Sequence, residues 1–576
     1  VTYDLILRNG TLIDGTGSSS RLADVAIRGD RIVAVREPGV LGPGVQEIDC
    51  TNLVITPGFV DVHTHYDGQA TWDPEVSPSS WHGVTTVVMG NCGVGFAPVR
   101  EADRAWIIQT MEGVEDIPGS ALHEGIRWAW QTFPEYLDAL EAMPRAVDIA
   151  AQVPHAAVRA WVMGPGAAED DPATAEQIAE MRAIVAEGLR AGALGFTTSR
   201  TTLHKTREGK FVAGTFSEVE ELEQLCEALG ETGLGVFGIA DEHVMLPSDL
   251  AWIEGIAART GRPTIVNLSQ TDFAPEIWRE VINGVEAAGA RGVPLFAQVA
   301  GRAIGILMNW RGTAHPFALH PTWKKLSELP WEAARAALLR PEVRAEIVGE
   351  TPAEAGMFEY YITRSFHKMF PFHGPEDYEP APDRSVAALA EASGRKPLEV
   401  AYDLLTGDDA NGWMYFPIFN YHGGSLAPLH ELHQSPRTMF GLSDGGAHCG
   451  AICDGGVPTF MLTHWARDRS RGPKLSLEHI VARQTRDTAA LYGLADRGVV
   501  APGYRADLNV IDMAQLAVLA PEMAWDLPAG GRRLIQKARG YKLTILRGQI
   551  VRQDDEATGV RPGRLVRGAQ EAPSRP

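Results

Sequence analysis

The sequence predicts an α/β fold: a (β/α)8 TIM-like barrel with a small composite β-sandwich built from both termini and an inserted lid segment. Three observations predict it. Across residues 56–495 short β-branched runs alternate with stretches of helical spacing, the pattern of parallel βα units. Short strands joined by tight turns fill residues 1–55 and reappear over 496–565, so that both termini build one β unit. The residues able to do chemistry follow directly after apolar runs, at the strand ends where barrels of this kind keep their active sites.

Composition narrows the function classes. The chain has 576 residues, 45% hydrophobic and 22% charged, as expected of a globular protein with a large core. A formal charge of −21 argues against nucleic acid or an anionic membrane as the main partner. The partner expected is a small-molecule substrate, and nothing in the composition opposes a homo-oligomer. Five cysteines, Cys50, Cys92, Cys226, Cys449 and Cys453, are too sparse and too odd in number for a disulfide framework. They fit a reducing, cytoplasmic compartment. The first ten residues lack a basic segment followed by a long apolar one, so no signal peptide is expected, and no apolar run reaches the ~18 residues of a membrane span.

Taken in order, Asp4–Leu7 and Thr11–Ile13 flank Asn9-Gly10 and read as a hairpin. Ala23–Ile27 and Arg31–Val35 flank Gly29-Asp30 in the same way. Strands are expected at Phe59–Val62, Gly83–Met89, Val147–Val153, Ala193–Thr198, Leu234–Ile239, Thr264–Leu268, Val293–Val299 and Thr438–Leu442. A helix from Thr174 to Leu189 starts on a Thr174/Gln177 capping box and stops at Gly192. Ser217 and Glu220 open another, closing near Gly230. Residues 303–435, rich in Trp, Pro and His and helical over Trp331–Val348, are too long for a barrel loop and read as an insertion or lid. The tail after Gly563 is expected to be disordered.

Four residues carry the candidate chemistry. The stretch from Thr56 to Asp67 reads Thr-Pro-Gly-Phe-Val-Asp-Val-His-Thr-His-Tyr-Asp. Strand side chains alternate, so His63 and His65 face the same way and offer two imidazoles to a divalent metal. Asp444, in Ser-Asp-Gly-Gly-Ala-His, follows an apolar run; it binds the metal and takes a proton from water, or it caps a turn. Cys92, in Gly-Asn-Cys-Gly, is a zinc-ligating thiolate or a buried inert cysteine. Three further residues are candidates for substrate contact: His155 at a strand end, Arg302 after the Val293–Val299 run, and His448 just beyond Asp444. For His155 the competing role is a structural hydrogen bond, and for Arg302 a salt bridge. His448 with Cys449 and Cys453 is a second, weaker metal grouping. Trp72, Trp81, Trp310 and Trp413 fall in expected mouth loops and suit either a bulky apolar substrate or packing.

Pro-Gly-Phe-Val-Asp-x-His-x-His resembles the first-strand signature of the amidohydrolase superfamily. With Gly90-Asn91-Cys92-Gly93 and Ser443-Asp444-Gly445, the chain resembles its D-aminoacylase branch over most of its length. The resemblance implies a zinc-ligating Cys92 and Asp444 as the general base. It also implies histidine ligands at the ends of strands five and six, where this sequence has Gly238 and Asn267, and a lysine where it has Ser269. His243 does not replace the first of these, being five residues beyond Gly238 and on the other face of a strand. The remaining set, His63, His65, Cys92 and Asp444, suits one Zn2+. The function expected is metal-dependent hydrolysis of an N-acyl amino acid or related amide. The alternatives are hydrolysis of a lactone, ester or cyclic amide, and a non-hydrolytic descendant that lost its ligands with Gly238 and Asn267.

Overall fold

The computed structural model describes residues 2–242, 247–441 and 443–573; His243 and Leu442 lie outside the described residues. Eight parallel strands carry the central layer. We number them β1 (Phe59–Asp61), β2 (Val84–Met89), β3 (Asp148–Ala151), β4 (Gly195–Ser199), β5 (Val236–Ala240), β6 (Thr264–Asn267), β7 (Leu295–Val299) and β8 (Thr438–Phe440). They form two arcs. One is β1-β2-β3; the other runs from a short strand, Val153–Pro154, through β4-β5-β6-β7 to β8. Gln152 alone separates β3 from Val153. On the opposite side a parallel bridge between Thr64 and Gly445 brings the end of β1 against the loop after β8. The strands are buried throughout or nearly so, as parallel strands covered by helices must be.

The helix that leads into β4 begins as the sequence chemistry dictates. Ala175–Ala191 starts on the reciprocal Thr174/Gln177 capping box and ends on Gly192 in the left-handed conformation. Such a cap is worth about 1 kcal/mol. The next helix, Val219–Thr232, departs slightly from expectation: Glu218 is its N-cap, without a side-chain cap bond, and Gly233 closes it.

Both termini enter one nine-stranded sheet. Val54–Pro57 pairs antiparallel with Leu508–Ile511 and so joins the first strands of the chain to the last. The two layers of a sandwich are here one continuous hydrogen-bonded sheet, with a separate apolar cluster that includes Leu7, Val25, Ile55, Leu508 and Ile545. The Asn9-Gly10 hairpin does not form. Tyr3–Leu12 is one strand with a register shift at that point. Asn9 sits at φ 59° and donates its N–H to Asp24 Oδ1 at 2.8 Å, which makes the pair a bulge instead of a turn.

The segment 303–435 has its own three-stranded antiparallel sheet (Gly305–Met308, Trp413–Pro417, Phe370–Phe372) and its own core around Trp310, Phe317 and Tyr402. The stretch expected as one helix from Trp331 is two, Trp331–Leu338 and Pro341–Gly349, because Pro341 cannot continue the first. The tail pairs along the central layer as far as Gln570, contrary to expectation. Gly563 bridges Arg145, Leu565 bridges Ile149 and Gln570 bridges Leu494. No helix among the described residues is long and apolar enough to cross a membrane.

Candidate active site

His63 and His65 leave the end of β1 side by side, their rings 5.4 Å apart. Cys92 comes from the loop after β2. That loop needs glycine on both sides: a Cβ on Gly90 would lie 2.4 Å from Gln152 O, and one on Gly93 2.7 Å from Ser199 N. Asp444 comes from the loop after β8, held by Ser443, whose hydroxyl donates to Asp61 Oδ2. Cys92, Asp444 and His448 adopt φ of 54°, 49° and 52°. Non-glycine residues pay about 1–3 kcal/mol each for such backbone.

The four side chains converge. Ligand atoms of His63, His65 and Cys92 lie within 4.8 Å of one another. His63 Nε2 is 3.3 Å from Cys92 Sγ and 3.3 Å from Asp444 Oδ1, and His65 Nε2 is 3.6 Å from that same oxygen. Burial lowers the His63 imidazole to about 4, so it is neutral and free to ligate. Burial pushes the Cys92 thiol up to about 11 despite the opposing contact from His65. Burial also works against ionisation of Asp444, but its neighbours His65, His63 and His448 outweigh it and hold the carboxyl below its ordinary range. Two imidazole nitrogens from nearly fully buried histidines, one sulfur and one carboxylate are a donor set that fits a divalent metal.

The site opens into a cavity of about 560 Å3. One wall is apolar and comes from the 303–435 segment: Ile304, Ile306, Phe358, Ile362, Ile418 and Phe419. The other carries Glu112, Glu115, Asp116, Asp241 and Asp444. Arg207 is the one lysine or arginine among the described lining residues, and its Nη1 lies 3.0 Å from Glu112 Oε1.

The three expected substrate contacts separate. His448 lines the cavity. His155 does not: it is buried between Thr198 Oγ1 at 2.9 Å and Glu221 Oε1 at 2.8 Å, with both ring nitrogens used. Arg302 does not either. It is 1% exposed, bonded to Asp454 Oδ1 at 2.7 Å and stacked on Tyr378 at 3.7 Å, a buried ion pair outside the cavity lining. Cys449 and Cys453 are buried, and burial raises both thiols to about 12. Among the described residues they join no donor cluster with His448. The expected tryptophans pack elsewhere: Trp310 is 1% exposed in the core of the 303–435 segment. Gly238 and Asn267 line a small recess against His63, Cys92 and Gln298, and neither offers an imidazole there.

Two residues at the site escaped the sequence reading. Gln298 Oε1 accepts from His63 Nδ1 at 2.7 Å, and Glu115 Oε1 is 3.2 Å from His65 Nδ1. Both left a signal: Gln298 interrupts the apolar run of β7, and Glu115 follows Val114 at the C-terminal end of a helix, where the helix dipole disfavours a carboxylate.

The sequence model of the amidohydrolase family matches residues 46–552. The chain belongs to that family. This amidohydrolase is 28% identical to the D-aminoacylase of Alcaligenes xylosoxydans xylosoxydans, over 98% of this chain and 97% of that protein. It is 28% identical to the N-acyl-D-aspartate deacylase of the same organism, over 98% and 95%. Among solved structures it superposes on a D-aminoacylase with a TM-score of 0.64 at 25% identity, covering 99% of this chain and 100% of that one. That structure is described by its binuclear metal centre, with one-metal activation and second-metal attenuation. The amidohydrolase class to which this chain belongs hydrolyses carbon–nitrogen amide bonds with a metal.

Proposed function

We propose that this amidohydrolase removes the acyl group from an N-acyl amino acid, or hydrolyses a closely related amide, with one zinc ion. The observation that carries the reading is the convergence of His63, His65, Cys92 and Asp444 at the head of a cavity large enough for such a substrate. Kinship with D-aminoacylase and N-acyl-D-aspartate deacylase supports the reaction type. The two arcs are read as one closed (β/α)8 barrel, joined at Gln152 and at the Thr64–Gly445 bridge, with the 303–435 segment as a lid over its mouth.

His63, His65 and Cys92 would hold the metal, with Asp444 beside them. The metal, when bound, polarises the amide carbonyl and lowers the pKa of water. Asp444, ionised and within 3.6 Å of both imidazoles, takes the proton of the attacking water and delivers it to the leaving amine. The apolar wall excludes water from one side of the scissile bond. Its chemistry favours an apolar side chain on the substrate, and the acidic wall opposite opposes aspartyl or glutamyl substrates. Gly238 and Asn267 support a metal count of one, because a second ion beside the first would lack those two imidazoles.

The test is a panel of N-acetyl D- and L-amino acids with apolar and acidic side chains, run beside a lactone, an ester and a cyclic amide. Release of free apolar amino acid as the fastest reaction is the expected result. Turnover of the lactone or ester alone would replace the amide reading, and no turnover with metal bound would favour a binding protein.

A further inference from the structure

The two imidazoles of the site present the same nitrogen inward. His63 Nε2 and His65 Nε2 face Asp444, while each Nδ1 points away to a side chain on another element. For His63 that partner is Gln298, whose oxygen accepts at 2.7 Å. For His65 it is Glu115, from the end of the helix Arg104–Val114. His65 Nδ1 and Glu115 Oε1 are buried and face each other at 3.2 Å, and neither makes a hydrogen bond in this structure.

We infer that Glu115 is a positioning residue: it holds the proton of His65 on Nδ1 and so keeps Nε2 free and aimed at the metal. The inference rests on the metal site proposed above. The ordinary cost of burying a carboxylate is large, and a carboxylate left without a partner would be expelled. The imidazole N–H is the donor that keeps this one, and in return the charge makes the imidazole a better ligand. Glu115 also reaches the loop that carries Asp444. Its carbonyl accepts from His448 N, and its Oε2 lies 4.0 Å from His448 Nε2. Its neighbour Asp116 accepts from Gly450 N at 3.1 Å and from Thr313 Oγ1 at 2.7 Å. The junction at residues 115–116 therefore fixes one ligand, the loop bearing the base and the first turn of the inserted segment from a single point.

The experiment compares wild-type protein with Glu115→Gln and Glu115→Leu. Zinc affinity is read by chelator competition and ligand geometry by the visible spectrum of the cobalt-loaded protein. The leucine variant is expected to bind zinc roughly 10–100-fold more weakly with a shifted cobalt spectrum, and glutamine, which retains an acceptor, to stay within about threefold. In a His65→Ala background the leucine substitution should cost nothing further. Equal affinity and an unchanged spectrum in Glu115→Leu, or the same loss without His65, would overturn the inference. Nitrogen-15 NMR of the metal-free wild type reads the tautomer whether or not the variants fold. A proton on His65 Nδ1 is expected, and a neutral ring without one there overturns the inference. Absence of metal binding by the wild type would instead count against the proposed function.

Discussion

At the scale of the residue, the site is four side chains delivered by loops that only particular residues tolerate. Asp444 has one oxygen near both imidazoles and a carboxyl kept ionised by them, which suits a base and not a turn cap. Asp444→Asn retains the shape and the hydrogen-bonding capacity but cannot accept the proton. Its kcat is expected to fall about 10²–10⁴-fold, with metal content and melting temperature unchanged. A fall in metal content of the same size would make Asp444 chiefly a ligand. The motif residues His63, His65, Cys92 and Asp444 were legible because each stands out chemically at the end of an apolar run. Glu115 and Gln298 were not, because their significance lies in contacts 50 and 235 residues away in the chain.

At the scale of the element, buried ion pairs hold pieces of structure together, and Arg302, a candidate substrate contact in sequence, belongs to one of them. Arg302→Leu removes the partner of Asp454, which is 4% exposed, and leaves a buried charge. It is expected to destabilise the fold by about 3–5 kcal/mol in denaturant titrations, without changing KM for a bound substrate. Glu379, from the inserted segment, meets His464 Nε2 at 2.9 Å and Arg469 Nη2 at 3.0 Å. Burial alone would raise its pKa, but these partners outweigh it and hold the carboxyl at about 2, below its ordinary 4.5. A lowered folded-state pKa means that the contribution is full above about pH 4.5 and is lost as the pH falls from there through about 2. The stability gap between wild type and Glu379→Gln should therefore be widest near neutrality and narrow below pH 4.5; a gap independent of pH would contradict the ion pair. The order of strands and helices was legible because β-branched runs and caps are local signals. The Asn9-Gly10 bulge and the break at Pro341 were misread, because the same residues serve a turn or a bulge, a helix or two, according to what packs on them.

At the scale of the molecule, the chain closes on itself. Asp148, on β3 and fully buried, accepts from Arg497 Nη1 at 3.0 Å, Arg547 Nη2 at 2.9 Å and Arg564 N at 2.8 Å, three residues from the C-terminal 80. The terminal sheet is thus bolted to the central layer beneath the catalytic loops. Arg497→Leu is expected to cost about 3–5 kcal/mol and to lower the melting temperature of the whole protein in one transition. Two separated transitions would show instead that the terminal sheet and the central layer unfold independently. The composite nature of the terminal sheet was visible as two β fragments bracketing the chain. The ordered tail was not, since residues 563–570 have the composition of a loose end and are placed by pairing with Arg145, Ile149 and Leu494.

The central claim is a hydrolase that works with one metal on His63, His65 and Cys92, beside Asp444. The most direct test strips the metal with a chelator and restores zinc in steps, following hydrolysis of an apolar N-acyl amino acid and bound metal together. Activity that returns to its maximum at about one equivalent of zinc, and does not return in a His63→Ala/His65→Ala variant, is the result this account predicts. Activity that survives complete removal of metal, or that requires a second equivalent, would contradict it.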